Sequence, residues 1–278
     1  MKIVVTGASG FIGSALMIAL KQSDHHCIGF SRSSNDDVVK ISSYSDIPLA
    51  DVLVHTAEIS NQALANKLGQ KYEKEASALL SKLIKKKYGR VLYLSSGAVY
   101  GDSNEKPHKE SDRILPVGVY GRVKAVSEQI VLDNAGTVIR LANTIGFGMA
   151  KENVLSEIIS QLGTPGPIQI QQAAPIRDFV WKEDVIEGIS KLVESNQVGI
   201  FNIGSGIGVS IGQLAKNAVV ISRRRNKQVF SMQESNTLSC LILDHTKITN
   251  TLGWQPKTNL NEALSLLINN SRNKEVFR

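Results

Sequence analysis

A tyrosine and a lysine stand four residues apart, at Tyr120 and Lys124, in a stretch whose apolar spacing predicts a helix. Residues at this spacing emerge on one face of a helix. A tyrosine with a pKa near 10 is a poor base, and lowering that pKa by about three units takes roughly 4 kcal/mol of preferential stabilisation of the phenolate. An adjacent ammonium supplies part of this stabilisation. The pair therefore indicates proton transfer at a tyrosine oxygen.

Two serines strengthen this interpretation, because the Tyr120 and Lys124 spacing alone also arises by chance in a lysine-rich chain. Ser95 and Ser96 follow an apolar run and stand at the predicted carboxyl end of a strand. Sheets of α/β proteins bind their ligands at that edge. A serine hydroxyl there can hydrogen-bond a substrate oxygen while the tyrosine transfers its proton.

A glycine-rich loop, residues 6–13, joins the first predicted strand to the first predicted helix. A bound pyrophosphate must approach backbone N–H groups at a helix N-terminus, where side chains would block it. Gly7 would allow the turn, and Gly10 would allow the close approach of the pyrophosphate. Gly13 would allow the helix to pack closely on the strand. A plain turn is the alternative, but the position between strand and helix favours dinucleotide binding. The predicted cofactor contacts are Gly7, Gly10, Phe11, Ile12, Gly13 and Ala57, with Tyr120 and Lys124.

The end of the second predicted strand distinguishes between two nicotinamide cofactors. An acidic residue there would bind the adenosine ribose and exclude a 2′-phosphate. This chain has Ser31 and Arg32, and a hydroxyl followed by a guanidinium suits a phosphate. NADP(H) is therefore favoured, while Asp36 and Asp37 keep NAD(H) possible. The alternative for Arg32 is a solvated loop residue.

The elements that would position these residues alternate between strands and helices. Apolar runs predict strands over 2–6, 26–30, 51–56, 91–95 and 137–141, and helical periodicity predicts helices over 11–22, 63–87 and 119–132. This alternation is typical of an α/β fold, a Rossmann-like doubly wound parallel sheet. After Arg140 the chain becomes rich in Gly, Pro and Gln, which indicates a smaller α/β lobe. We assign 1–142 and 179–203 to the NAD(P)-binding domain, and 143–178 and 204–278 to the substrate-binding lobe.

Composition excludes several classes of protein. A chain of 278 residues with 42% hydrophobic content can bury a full core. Neither a secretory signal nor a membrane-spanning stretch is evident, so we expect a cytoplasmic protein without a membrane partner. Two cysteines give no disulfide framework or thiolate metal site, and we expect no metal. The net charge of +7 lies in clusters such as 85–87 and 223–225 without interleaved aromatic residues, so nucleic-acid binding is not expected.

Seven segments together resemble, in order, the sugar-nucleotide epimerase/dehydratase group of extended short-chain dehydrogenases/reductases. They are the glycine loop, 95–101, Tyr120 with Lys124, 140–143, 177–180 with Asp184, 201–206 and 252–256. The resemblance implies that Ser96, Tyr120 and Lys124 are catalytic. It further implies that Ser96, Asn143, Asn153 and Arg177 contact a nucleotide-diphosphate sugar. Without the resemblance, a salt bridge from Arg177 to Asp178 or Asp184 explains that arginine equally well.

Three departures from this group bear on which reaction the chain can catalyse and on how it would bind the nucleotide. Dehydratases of the group place an acidic pair after Ser96, where this chain has Gly97 and Ala98. The fucose-synthase branch has a cysteine in place of Ala98. An arginine usual before Asp244 for the second phosphate is missing, since 233–239 offers Glu234 and no cation.

These observations leave three functions open. The first is NADPH-dependent reduction of a 4-keto-6-deoxysugar nucleotide, and the second is nucleotide-sugar 4-epimerisation. The third, from a different class, is a non-catalytic regulatory protein that keeps the cofactor fold. Such proteins commonly lack the Tyr and Lys pair, which favours an enzyme. The two long helices, 63–87 and 119–132, resemble the dimer interface of the group, so a homodimer is expected.

Overall fold

The computed structural model describes residues 1–33, 38–224, 226–234 and 238–270. Its main sheet has seven strands, all paired in parallel. They are β1 (Lys2–Thr6), β2 (His26–Ser31), β3 (Val39–Lys40), β4 (Val52–His55), β5 (Arg90–Ser96), β6 (Thr137–Leu141) and β10 (Gly199–Ile203). Parallel strands need crossover connections, and helices provide those that follow β1, β4 and β5.

Helices cover both faces of this sheet. The first face packs against α1 (Phe11–Lys21) and α5 (Lys182–Glu194), with Leu16 and Ile189 fully buried in its core. The other face packs against α2 (Gln62–Ile84) and α3 (Gly118–Leu132), around residues such as Leu80 and Val131. The near-continuous apolar sequence of the central strands follows from burial on both sides.

The strand order creates a crevice beside β1. From β1 the chain builds β2 and β3 on one side, and β4, β5, β6 and β10 on the other, in the order β10-β6-β5-β4-β1-β2-β3. The carboxyl ends of β1 and β4 therefore flank the point where the order reverses. In open α/β sheets this switch point is where ligands bind.

The remaining chain forms a smaller lobe. A second sheet joins β7 (Asn143–Ile145), β9 (Ile176–Trp181), β11 (Gly208–Ser210) and β13 (Cys240–Leu241), and a parallel pair joins β8 (Ile168–Gln172) to β12 (Val229–Gln233). Its core lies between α4 (Val154–Leu162), α6 (Ile211–Ile221) and α8 (Leu260–Asn270). The intervening α7 (Thr246–Leu252) instead sends Ile248, with Trp254, into the core of the main sheet. The assigned boundaries of the two units stay a prediction.

The predicted fold class is confirmed. The last strand of the main sheet, β10, pairs with β6. One predicted helix differs in extent and shape. The helix predicted over 63–87 ends at Ile84, and it kinks at Gly69, where φ is 65° and ψ is −152°. Glycine reaches this backbone region without steric cost. Among the described residues, no helix is both long enough and apolar enough to cross a bilayer.

Candidate active site

The glycine loop forms a cradle that only small residues can build. Gly7 has a φ of 70°, and a Cβ there would lie 2.7 Å from Thr56 Oγ1 and 2.9 Å from the Ala57 Cα. A Cβ at Gly13 would lie 2.2 Å from the Gly7 carbonyl oxygen. Gly10 precedes α1 and offers no side chain to cap the helix. The first N–H groups of α1 thus face a cradle that fits a pyrophosphate.

Three other predicted cofactor contacts adjoin this cradle. Phe11 and Ile12 open α1 and are half-buried, and the Lys182 ammonium lies 5.2 Å from the Phe11 ring centroid. Ala57 lies two residues after the end of β4, against Gly7. The structure therefore brings the residues predicted at 7–13 and at Ala57 together at the switch point.

The carboxyl end of β2 borders the same cradle. Ser31 is the last residue of β2, and its hydroxyl lies 2.6 Å from the Ser9 hydroxyl of the glycine loop. Arg32 follows and is exposed. The alternative ribose partners, Asp36 and Asp37, lie outside the described residues. In the described part of this strand end, the Ser31 hydroxyl contacts the loop, and Arg32 is the next residue along the chain.

Ser96 ends β5 at the crevice edge of the sheet. Its Oγ accepts a hydrogen bond of 3.2 Å from the Ala98 N–H and so caps a 3₁₀ turn, Gly97–Tyr100. A hydroxyl that accepts here keeps its own proton for a second bond. Gly97 lies close to the lobe, because a Cβ there would be 3.0 Å from the Leu243 side chain.

Helix α3 carries Tyr120 and Lys124 to that edge. Asn66 of α2 caps its first turn, because Asn66 Oδ1 accepts from Val119 N at 2.8 Å and from Tyr120 N at 3.3 Å. The Lys124 ammonium donates to the Leu94 carbonyl of β5 at 2.7 Å, two residues before Ser96. It lies 6.0 Å from the Tyr120 ring centroid. The structure therefore assembles Tyr120 and Lys124 beside the strand end that bears Ser96.

A buried carboxylate that the sequence analysis missed joins this group. Glu58 Oε2 lies 2.8 Å from Lys124 Nζ, and the two side chains are 5% and 8% exposed. Glu58 also accepts from the Tyr93 hydroxyl at 2.6 Å and from the Ser127 hydroxyl at 3.0 Å. Lys124 is therefore one partner of a buried, hydrogen-bonded ion pair.

Each member of this pair shifts the pKa of the other. Burial alone would lower the pKa of Lys124, but Glu58 and Tyr120 raise it, and the net direction is upward. Burial alone would raise the pKa of Glu58, but Lys124 lowers it, and the net direction is downward. Burial also lowers the pKa of the neighbouring His55 to about 4, so His55 is neutral at neutral pH. Both members of the pair are charged across the physiological range.

The residues predicted to contact the substrate lie on the lobe side. The Asn143 amide donates to the Asp178 carbonyl at 3.2 Å, and Asn153 caps α4 through a bond of 2.9 Å from Leu155 N. Arg177 donates to the Ser239 hydroxyl at 2.8 Å and pairs with Asp102 at 3.4 Å.

The predicted salt-bridge alternatives for Arg177 were therefore wrong in their partners. Asp178 instead accepts from Ser205 N at 2.8 Å, and Asp184 accepts from Thr258 N at 2.9 Å. Both carboxylates are buried and satisfy backbone donors, which leaves Arg177 to the more exposed Asp102.

Comparison with known proteins identifies this arrangement. The model of the NAD dependent epimerase/dehydratase family matches residues 3–204. The chain belongs to this family. UDP-glucuronic acid decarboxylase 6 of Arabidopsis thaliana is 28% identical, over 96% of this chain and 88% of that protein. The dTDP-4-dehydro-6-deoxyglucose reductase of Escherichia coli is 23% identical, over 98% of each.

Solved structures of similar proteins agree in fold. The UDP-glucose 4-epimerase of Thermotoga maritima with UDP-glucose has a TM-score of 0.87 and 26% identity, over 98% of this chain and 99% of that one. The protein RMD of Pseudomonas aeruginosa, complexed with NADPH, has a TM-score of 0.84 and 22% identity, with the same coverage of 98% and 99%. The family thus contains proteins named for epimerisation, decarboxylation and reduction.

Two functional residues of this epimerase/dehydratase chain were missed from the sequence, for different reasons. Glu58 had a usable signal, since an acidic residue three positions after the buried strand β4 lies near the ligand edge of the sheet. Asn66 had none, because its role depends on how the first turns of α2 meet the start of α3.

Proposed function

We propose that this chain is an NADPH-dependent reductase of the C4 ketone of a 4-keto-6-deoxysugar nucleotide. The observation that carries the proposal is the end of β2, where Ser31 borders the glycine loop and Arg32 follows it. A guanidinium there suits a 2′-phosphate. NADPH is usually kept reduced in the cytosol, where we expect this protein, and this favours one net hydride transfer.

The chain's own residues donate the proton to the substrate and stabilise the charge that this leaves behind. When bound, NADPH would supply the hydride that adds to C4. Tyr120 gives its phenolic proton to the carbonyl oxygen as that oxygen becomes an alcohol, and Ser96 donates a hydrogen bond to the same oxygen. The Lys124 ammonium, 6.0 Å from the Tyr120 ring centroid, stabilises the phenolate that remains until solvent returns a proton.

The lobe would hold the diphosphate of the substrate. Asn143, Asn153 and Arg177 are the proposed contacts, and all three are only partly buried. Arg177 is already paired with Asp102, so a diphosphate would share or replace that partner. Binding of this kind positions the sugar without taking part in the proton transfer.

Dehydration is disfavoured by the groups that follow Ser96. Gly97 and Ala98 stand where the resembling dehydratases have acidic residues. Gly97 is also packed against Leu243, so a side chain there would have to displace the Leu243 side chain. Proton transfer at C4 then rests on Ser96 and Tyr120.

Nucleotide-sugar 4-epimerisation is the second candidate, favoured by the likeness to the Thermotoga maritima epimerase. An epimerase uses the same three residues but holds its cofactor through two hydride transfers. It also needs room for the 4-keto sugar to rotate.

We further propose a cytoplasmic homodimer. Leu64 and Leu68 of α2 and Val126 of α3 are 45%, 45% and 40% exposed, which leaves apolar surface on the paired helices.

The two reactions are separated by their use of cofactor. Purified protein would be given stoichiometric NADPH with dTDP- or GDP-4-keto-6-deoxyhexose, while absorbance of the reduced nicotinamide is followed and products are weighed by mass spectrometry. Loss of NADPH matched by an alcohol product is expected. Failure with these ketones, together with interconversion of UDP-sugar C4 epimers without net cofactor change, would favour the epimerase.

A further inference from the structure

Glu58 lies between the cofactor cradle and helix α3. It follows β4 and the adjacent Ala57, whose Cα lies against Gly7 at the cofactor cradle. Its carboxylate reaches across to α3, where it bonds Lys124 and Ser127. Glu58 therefore links the chain segment beside the glycine loop to the helix that carries Tyr120.

We propose that Glu58 is a positioning residue, which holds the Lys124 ammonium charged and fixed so that Lys124 can act on Tyr120 and the cofactor over a wide range of pH. The inference rests on the proposed function, in which Tyr120 is the proton donor. It adds a residue and a pH dependence that the three residues Ser96, Tyr120 and Lys124 do not supply by themselves.

The hydrogen-bond inventory supports this role. An ammonium has three donors, and those of Lys124 reach Glu58 at 2.8 Å and the Leu94 carbonyl at 2.7 Å. This leaves one donor for the crevice side. The Glu58 carboxylate is itself fixed by Tyr93 and Ser127, from β5 and α3. A flexible lysine is thereby held in one orientation.

Stability alone is a weak explanation for this pair. Two buried charges pay a desolvation penalty that can exceed their attraction, and apolar residues of similar volume often stabilise a fold as well. The pair lies at the ligand edge of the sheet, beside a tyrosine that can change charge. The effect of the Glu58 and Lys124 pair on proton transfer at Tyr120 is therefore the property to test.

The direction of the pH effect follows from the groups around the pair. Tyr93 of β5, Tyr72 of α2, Tyr120 of α3 and the neutral His55 of β4 face it. Without Glu58, burial would lower the pKa of Lys124, and the ammonium would be lost at lower pH. Loss of the ammonium at lower pH moves the alkaline limb of kcat downward.

The test replaces Glu58 by an uncharged residue of the same shape. Glu58→Gln is compared with Glu73→Gln, which removes a carboxylate that pairs with Arg122 at 3.3 Å on the outer surface of α2 and α3. We expect the alkaline limb of kcat to fall by at least about one pH unit in Glu58→Gln, with KM changed less than about threefold. Glu73→Gln should keep the wild-type profile. A Glu58→Gln profile that overlays wild type would overturn the proposal.

A second readout needs no substrate. In protein with ¹³C-labelled lysine, the Lys124 signal is assigned by its loss in Lys124→Met and then titrated by NMR. In wild type it should stay in the ammonium form beyond the ordinary lysine pKa of about 10.4, and in Glu58→Gln it should titrate earlier. Titration of the wild-type signal below that value contradicts the role of Glu58. If no keto sugar is reduced, the proposed function fails while this titration still judges Glu58.

Discussion

Helix α3 carries two buried ion pairs on successive turns, and they differ in what they can do. Lys124 pairs with Glu58 at 2.8 Å beside Tyr120, and Glu128 pairs with Arg140 at 2.6 Å one turn further on. Arg140 donates to both carboxylate oxygens, through Nε at 3.0 Å and 3.2 Å and through Nη2 at 2.6 Å. Both side chains of this second pair are 3% exposed.

The two ion pairs therefore suit different roles: the Arg140 pair suits structural support, and the Lys124 pair suits proton chemistry. A bidentate guanidinium keeps its proton at every accessible pH and fixes geometry, which suits a joint between β6, α3 and β5, where Ser95 also donates to Glu128. The Arg140 guanidinium further lies 4.6 Å from the Tyr100 ring centroid. A lysine can lose its proton and has a donor to spare. Removing the Arg140 pair should therefore damage folding, and altering the Lys124 side should damage turnover.

The largest expected effect is on stability. Arg140→Met leaves Glu128 charged and unpaired in the interior, so we expect the free energy of unfolding to fall by about 3–5 kcal/mol. Urea denaturation measures this loss. The double variant Arg140→Met with Glu128→Gln removes both charges and should recover much of it. In the folded fraction, kcat should change less than about threefold. A stable Arg140→Met protein that has lost turnover would reverse the comparison.

The next effect is on turnover. Tyr120→Phe removes only the transferable proton, so kcat should fall at least about a hundredfold, which corresponds to about 2.7 kcal/mol. Unfolding and cofactor binding should be unchanged. Tyr88→Phe is the matched control, since among the described residues the buried Tyr88 hydroxyl has no hydrogen-bond partner. Near-wild-type turnover of Tyr120→Phe would remove Tyr120 from the proposed mechanism.

The smallest effect concerns the cofactor. Arg32→Ala should weaken NADPH binding by about tenfold and leave NADH binding unchanged, because only NADPH carries the 2′-phosphate. Calorimetric titration with both cofactors gives the two affinities. Arg223→Ala, at an exposed arginine of the lobe, is the control. Tighter binding of NADH than NADPH, with no change in either on Arg32→Ala, would make Arg32 a loop residue.

Sequence patterns predicted the central sheet well because burial on both faces leaves long apolar strands. The predicted bounds of β1 and β6 match those observed. The edge strand β3 was not predicted, since it has two exposed residues and so no apolar pattern. Helix α2 was predicted without its kink, because a single glycine inside a periodic stretch is compatible with a continuous helix.

The chemistry of the site was predicted less completely than the fold. Tyr120 and Lys124 are local in sequence, and the glycine loop is contiguous, so local spacing, together with Ser95 and Ser96 and the strand and helix pattern, predicted them. Glu58 meets Lys124 only after α3 packs beside the end of β4, and Arg177 meets Asp102 only across the lobe. Pairings of this kind depend on tertiary packing, which residue spacing does not encode.

The most direct test of the central claim follows the hydride itself. The protein would be given NADPH deuterated at C4 of the nicotinamide, with a dTDP- or GDP-4-keto-6-deoxyhexose, and the sugar product examined by mass spectrometry and NMR. We predict one deuterium at C4 of the sugar for each NADPH oxidised, with the label absent in Tyr120→Phe on the same timescale. Interconverted C4 epimers of a UDP-sugar with no net oxidation of NADPH, and no labelled alcohol from any keto sugar, would contradict it.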